Sequence, residues 1–147
     1  MAACALQYAQ PTDDKTAELV ISTNAPLAVE FYRDATLCTD MLQVRPPPTI
    51  GQTSYRIPAD KEFALRFLYY EGGLYSWVAC GENIVSFNPE KDQHYVLHYL
   101  LEKGVCRWVL TENNGARETA VKVSIRERDP SLTSMGGEGT WCKAKKP

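Results

Sequence analysis

Histidine is nearly absent: a chain of 147 residues carries two, His94 and His98. A site built on several imidazoles is therefore excluded, and so is most His-based nucleophilic hydrolysis. The five cysteines (Cys4, Cys38, Cys80, Cys106 and Cys142) never fall into a C-x-x-C pair, which removes the usual zinc frameworks. There is no G-x-S-x-G elbow, no glycine-rich phosphate loop and no H-E-x-x-H. Basic excess is missing too: 16 Lys and Arg stand against 18 Asp and Glu, a net charge of -2, so no nucleic-acid partner is expected. No apolar run reaches the roughly 20 residues that span a bilayer. These absences predict a protein that is not an enzyme and holds no cofactor or metal.

What the chain does have is a period of two. Hydrophobic residues make up 44% and charged residues 23%, as in an ordinary globular domain, and the length suits one core. Leu19 and Ile21 alternate with Glu18, Val20 and Ser22. Asn24-Ala25-Pro26 then breaks the run, and Leu27, Val29 and Phe31 alternate anew, reading as two strands joined by a short turn. Arg45-Pro46-Pro47-Pro48-Thr49 lacks three N–H donors in succession and reads as an extended connection. Residues 52–57, 63–70, 105–111 and 119–125 follow as further strands. Residues 75–80 and 83–87 read as one strand interrupted by a bulge near Gly81. Residues 89–103 admit two readings. Asn88, Pro89 and Gly104 would cap a helix, whereas Tyr95, Leu97, Tyr99 and Leu101 would line one face of a strand that turns at Glu102-Lys103-Gly104; the β-favouring content selects the strand.

Regular spacing of short strands predicts an all-β, single-domain β-sandwich of about 7–9 strands, with a small up-and-down β-barrel as the alternative. The sandwich is expected over residues 17–147, with a flexible Gly-rich segment at 131–140. Residues 1–16, polar and interrupted by Pro11, are expected to form an N-terminal tether, mobile over residues 5–14. On a strand, His94 and His98 share a face roughly 13 Å apart and have no third ligand nearby, so they read as a solvent-facing pair rather than a metal site.

Two groups of residues invite a functional reading. Tyr69, Tyr70, Tyr75 and Trp77 cluster across the Gly72-Gly73 turn. Alternation places half of them in the core, and the outward members with the hairpin tip form a candidate binding patch. The cysteines read either as five reduced thiols in a cytoplasmic protein or as one N-terminal cysteine plus two disulfides in an oxidising compartment. In the second reading the Tyr95 strand pairs with its neighbours on both sides as a meander, which brings Cys80 to Cys106 and leaves Cys38 for Cys142. Cys38–Cys80 with Cys106–Cys142, and Cys38–Cys106 with Cys80–Cys142, remain open.

Met1-Ala2-Ala3-Cys4 resembles the end of a bacterial lipoprotein signal, which makes Cys4 the candidate lipid anchor. Arg56-Ile57-Pro58-Ala59-Asp60-Lys61, the strand from Phe63, Cys80, Val85-Ser86-Phe87-Asn88-Pro89, the tyrosine strand at 95–99 and Val105-Cys106 together resemble a group of small proteobacterial lipoproteins; Cys38, after the strand through Phe31, fits as well. The resemblance covers about half the chain. It implies an exported β-sandwich in the periplasm, anchored to the outer membrane through lipid alone, and it carries no agreed activity. The function it suggests is non-catalytic binding of a protein partner, within an envelope or secretion assembly. The alternative is an inhibitor of a lysozyme-like enzyme, for which Asn114-Gly115-Ala116-Arg117 would have to replace the recognition motif of that inhibitor class.

Overall fold

The computed structural model describes residues 6–36, 39–69, 80, 83–128 and 142–144; among them there are eleven strands and no helix. The strands are β1 (Thr16–Thr23), β2 (Leu27–Asp34), β3 (Thr39–Gln43), β4 (Gly51–Pro58), β5 (Phe63–Tyr69), β6 (Asn83–Phe87), β7 (His94–Glu102), β8 (Val105–Asn113), β9 (Glu118–Ala120), β10 (Ser124–Arg128) and β11 (Cys142–Ala144). Five of them form one sheet in the order β4-β1-β7-β8-β9, and six form the other in the order β11-β10-β6-β5-β2-β3. Both sheets are open, so the protein is a β-sandwich and not a closed barrel.

The period-two sets meet between the sheets. Leu19, Ile21, Tyr55, Ile57, Tyr95, Leu97, Tyr99 and Leu110 come from one sheet; Leu27, Val29, Phe31, Phe63, Leu65, Phe67, Val85 and Phe87 come from the other. Aromatic rings lock the interface edge to face, the arrangement their quadrupoles favour. Phe31 meets Tyr55 at 5.9 Å, Phe87 meets Tyr95 at 5.1 Å, and Phe67 meets Tyr99 at 6.0 Å and Trp108 at 5.3 Å. Residues 89–103 resolve as a strand: Glu102 and Val105 pair across a two-residue turn whose Lys103 (φ 51°) and Gly104 (φ 76°) both take the left-handed conformation that such a hairpin needs.

Strand partnership departs from the sequence reading in three places. Asn24-Ala25-Pro26 does join two strands, but they belong to different sheets: β1 runs parallel to β7, from Glu18↔His94 to Thr23↔Tyr99, while β2 pairs with β5 and β3. Residues 119–125 are not one strand. The chain changes sheets at Val121–Val123, so Glu118–Ala120 ends one sheet on β8 while Ser124–Arg128 joins the other on β6. Alternation survives that crossing because Val121 and Val123 both reach the core, whereas Ile125 is 47% exposed. The meander through the Tyr95 strand does not exist either, since β6 lies across the sandwich from β7.

Part of the expected tether is packed. Tyr8 N–H donates to Gln43 O and Gln43 N–H donates to Leu6 O, both at 2.8 Å, which adds residues 6–8 to the outer side of β3. The Tyr8 hydroxyl donates to the Arg56 carbonyl on β4, and Arg56 N–H donates to Gln10 Oε1 at 3.1 Å. This strap therefore ties the edge of one sheet to the edge of the other, with the Tyr8 ring 4.7 Å from Phe31. Residues 1–5, Cys38, residues 70–79 and the Gly-rich segment at 131–140 lie outside the described residues.

Candidate functional site at the apolar end of the sandwich

The two ends of the sandwich differ in chemistry. At one end lie residues 59–62, 88–93 and 114–117. Most of their exposed members are charged or amide-bearing, and they are cross-linked by polar contacts: Lys91 Nζ to Asp14 Oδ2 at 3.4 Å, Lys91 N–H to Asp60 Oδ1 at 3.3 Å, and Asp60 N–H to Pro89 O at 2.8 Å. The Asn114-Gly115-Ala116-Arg117 turn belongs to this end. It folds on itself, with Asn114 Oδ1 accepting from the amides of Ala116 and Arg117 at 3.1 and 3.2 Å.

At the other end meet the β1–β2 crossing, the proline segment and the β7–β8 hairpin. Thr23 pairs with Gly51 on one side and Tyr99 on the other. The Asn24 side-chain amide extends the pairing by imitating a backbone: it donates to Leu101 O and accepts from Leu101 N–H, both at 2.8 Å. Large apolar side chains are exposed here, with Ile50 at 67%, Val105 at 53% and Leu100 at 43%; Val109, at 43%, continues the patch along the outer face of β8. Single exposed apolar residues carry little meaning, but several together mark an association surface.

A groove of about 390 Å³ opens at the same end. β3 follows β2 only as far as Val44, whose N–H donates to Val29 O at 3.3 Å. Pro46, Pro47 and Pro48 then have no N–H to offer a ladder, so the chain swings away and leaves Leu27 and Val29 facing Pro47 and Pro48 across the groove. The Tyr55 hydroxyl fastens this segment by donating to Pro46 O at 3.2 Å.

Burial pushes the Tyr55 hydroxyl up to about 12, and it raises Tyr8, Tyr95 and Tyr99 in the same sense. The folded state therefore favours neutral tyrosine. Its stability is intact below pH 10 and is lost as the pH climbs through the folded value, at about 1.4 kcal/mol per unit for each such group. Alkaline titration is expected to show phenolate absorbance and loss of near-UV circular dichroism rising together between pH 10 and about 12. Tyr55→Phe should shift that transition upward. A free-tyrosine titration curve with the fold retained would contradict this account.

The residues singled out from sequence fall into separate places. Tyr69 ends β5 on its inner face and packs half-buried against the core, so it contributes to packing; Tyr70, Tyr75 and Trp77 lie outside the described residues. Cys80 and Cys106 are at disulfide distance, Cα–Cα 5.7 Å, but they join the two sheets rather than alternate strands of one. Nearby, Trp108 Nε1–H donates to Asn83 Oδ1 at 3.2 Å, a second tie between the sheets. Cys142 lies in β11, its backbone opposite Arg128; its proposed partner Cys38 and the candidate anchor Cys4 are outside the described residues. His94 and His98 share the outer face of β7, each beside a glutamate, Glu18 at 3.7 Å and Glu118 at 3.4 Å. No cluster of three metal-ligating side chains occurs among the described residues.

Sequence reasoning missed a buried ionic layer on the outer face of the larger sheet. Glu30, 9% exposed, takes both Nε–H and Nη2–H of Arg66 on the paired strand, and Tyr32, Ala64 and Ile84 pack around them. Arg126 donates to Glu62, to Ser86 Oγ at 3.2 Å and to Thr36 O at 3.0 Å. Alternation marks all these positions as outward, and nothing in the pattern says that an outward face will be covered. No protein-family model, no curated protein and no solved structure matches the chain.

Proposed function

We propose that the protein is a non-catalytic binding module of the bacterial cell envelope, held in the periplasm on the outer membrane through lipid at Cys4, and that it docks a protein partner with the apolar end of its sandwich. The observation that carries the reading is the asymmetry of the two ends: Ile50, Leu100 and Val105 are exposed, with Arg45, Glu102 and Lys103 among them, at the end that carries the groove, while the opposite end exposes no large hydrophobic side chain among the described residues. Loops gathered at one end of a sandwich are a rigid platform for recognition, since the sheets fix their spacing. The packed strap sharpens the reading. Only Ala5 separates the lipidated cysteine from Leu6, where the hydrogen bonding to β3 begins. One residue spans at most about 3.6 Å, so the domain would rest at the membrane surface instead of ranging from it on a tether.

Photo-crosslinking in the native host tests this. A crosslinking residue at Ile50 or Val105 should trap one discrete partner band, and the band should vanish when Leu100→Asp is added. The same residue placed at Lys91 or Arg117, on the charged end, should trap none. A fatty-acid label incorporated in the wild type and lost in Cys4→Ser would accompany that result. Equal trapping at both ends, or no label at all, defeats the respective half of the proposal.

A further inference from the structure

Asn114 is followed by glycine, and none of the other four asparagines (Asn24, Asn83, Asn88 and Asn113) is. A side-chain amide next to a glycine is open to attack by the glycine's own backbone nitrogen, because no Cβ stands in the path. The turn between β8 and β9 presents this pair to solvent. Residues 114–117 are all exposed, and nothing lies within 4 Å of where a Gly115 Cβ would stand. Sheet pairing ends at Asn113↔Glu118, so the ladder holds neither Asn114 nor Gly115. Other asparagines are placed differently. Asn88 precedes Pro89, whose nitrogen has no proton to lose, and the Asn24 amide is fixed on Leu101 through both its oxygen and its nitrogen.

Two features of the turn favour the reaction. Asn114 Oδ1 accepts from the backbone N–H of Ala116 at 3.1 Å and of Arg117 at 3.2 Å. Both donors face the oxygen on which negative charge develops when Cγ becomes tetrahedral, which is the arrangement of an oxyanion hole. Gly115 N–H donates to Asn113 Oδ1 at 2.9 Å. That bond lies in the peptide plane, whereas the nitrogen attacks through the lone pair perpendicular to it, so the reacting face stays open. We infer that Asn114 is a site of spontaneous deamidation in the folded protein, with water as the only co-reactant. Gly115 N gives its proton to a solvent base and bonds to Asn114 Cγ. The Cγ–Nδ2 bond breaks, and ammonia leaves with a proton taken from solvent. Water then opens the five-membered imide at either carbonyl, giving aspartate or isoaspartate. Either product adds one negative charge to the charged end of the sandwich. Isoaspartate also routes the main chain through Cγ and lengthens it by one methylene, which loosens the turn on which the three pairs of β9 depend. This site is independent of the apolar end and of any lipid anchor, so it stands or falls separately from the docking proposal.

The test incubates the native protein in mildly alkaline buffer and maps its peptides by mass spectrometry. The peptide holding residues 113–117 should gain the mass of an amide-to-acid exchange and become a substrate for isoaspartyl methyltransferase, and fragmentation should place the change on Asn114 rather than Asn113. Peptides holding Asn24, Asn83 and Asn88 should stay unchanged over the same period. The rate should rise about tenfold per pH unit, because the attacking nitrogen must first lose its proton. It should equal or exceed the rate in a free peptide of residues 112–117, since the turn presets both donors. Gly115→Ala, which adds a Cβ at a φ of 87°, should slow the reaction at least about tenfold. Asn114→Asp should abolish the mass gain and co-elute with one product on anion exchange. No mass gain at Asn114 in the native protein, a native rate below that of the free peptide, or an equal rate at Asn24 would each overturn the assignment.

Discussion

Phe31→Ala is expected to cost about 4 kcal/mol of folding stability, among the largest effects of any single substitution in this chain. Phe31 is 1% exposed and is the ring on which three parts of the structure converge. Phe63 lies 4.9 Å away on the neighbouring strand, Tyr55 lies 5.9 Å away on the facing sheet, and Tyr8 lies 4.7 Å away on the strap. Truncation removes the transfer free energy of a buried ring and leaves a void that a two-sheet sandwich closes poorly, because each strand is held in register by its neighbours. It also takes the floor from under Tyr8. Urea unfolding should show the lowered midpoint, and hydrogen exchange at the Tyr8 amide should accelerate more than at Leu97, which does not touch the strap. Phe31→Leu, which keeps most of the volume, should cost less than about 1.5 kcal/mol. A loss below about 2 kcal/mol for the alanine variant would mean that the strap and Phe31 are not coupled as described.

Replacing Cys80 and Cys106 together by serine is expected to cost about 3.5 kcal/mol, as the loop-closure entropy of a 26-residue separation predicts. That is a large share of the stability of a domain this size. The covalent tie has structural leverage because it spans the sandwich. Cys106 sits on the edge half of β8, where β9 no longer pairs, and Cys80 leads into β6 of the facing sheet. With the bond gone, that corner of the sandwich is held by Trp108 on Asn83 and by the Phe67–Trp108 contact. Unfolding in urea with and without reductant should move the wild-type midpoint and leave the double variant unchanged. If reductant fails to move the wild-type midpoint, the sulfurs are not bonded in solution.

The fold class could be read from the chain because burial in a two-layer sheet structure writes itself as alternation. Leu19 and Ile21, Phe63, Leu65 and Phe67, and Tyr95, Leu97 and Tyr99 each declare which face of a strand is inward, and all of them point into the core. A turn at Glu102-Lys103-Gly104 was legible too; the structure narrows it to Lys103 and Gly104, both left-handed, with Glu102 already paired to Val105. Partnership is different in kind. Alternation says that a strand has an inner face but not which strand lies beside it, so the parallel pairing of β1 with β7 left no trace in the sequence. For the same reason the run through Val121 and Val123 looked like one continuous strand: the core lies between both sheets, and a chain that changes sheets keeps burying alternate residues.

The cysteine pair shows the limit most clearly. Cys80 and Cys106 were correctly brought together, but through a meander that does not exist; what unites them is the stacking of one sheet on the other. The strap escaped for want of period, since residues 6–11 carry one decisive aromatic, Tyr8, and a lone ring has no pattern to betray its burial. The apolar end is likewise assembled from loops and edges distant in sequence. Local alternation, turn conformation and the placement of proline were determined by the sequence read residue by residue. Sheet membership, the strap and the apolar end were decided only by tertiary structure, because each depends on which surfaces meet, and the free energy of that meeting belongs to pairs of segments rather than to any one of them.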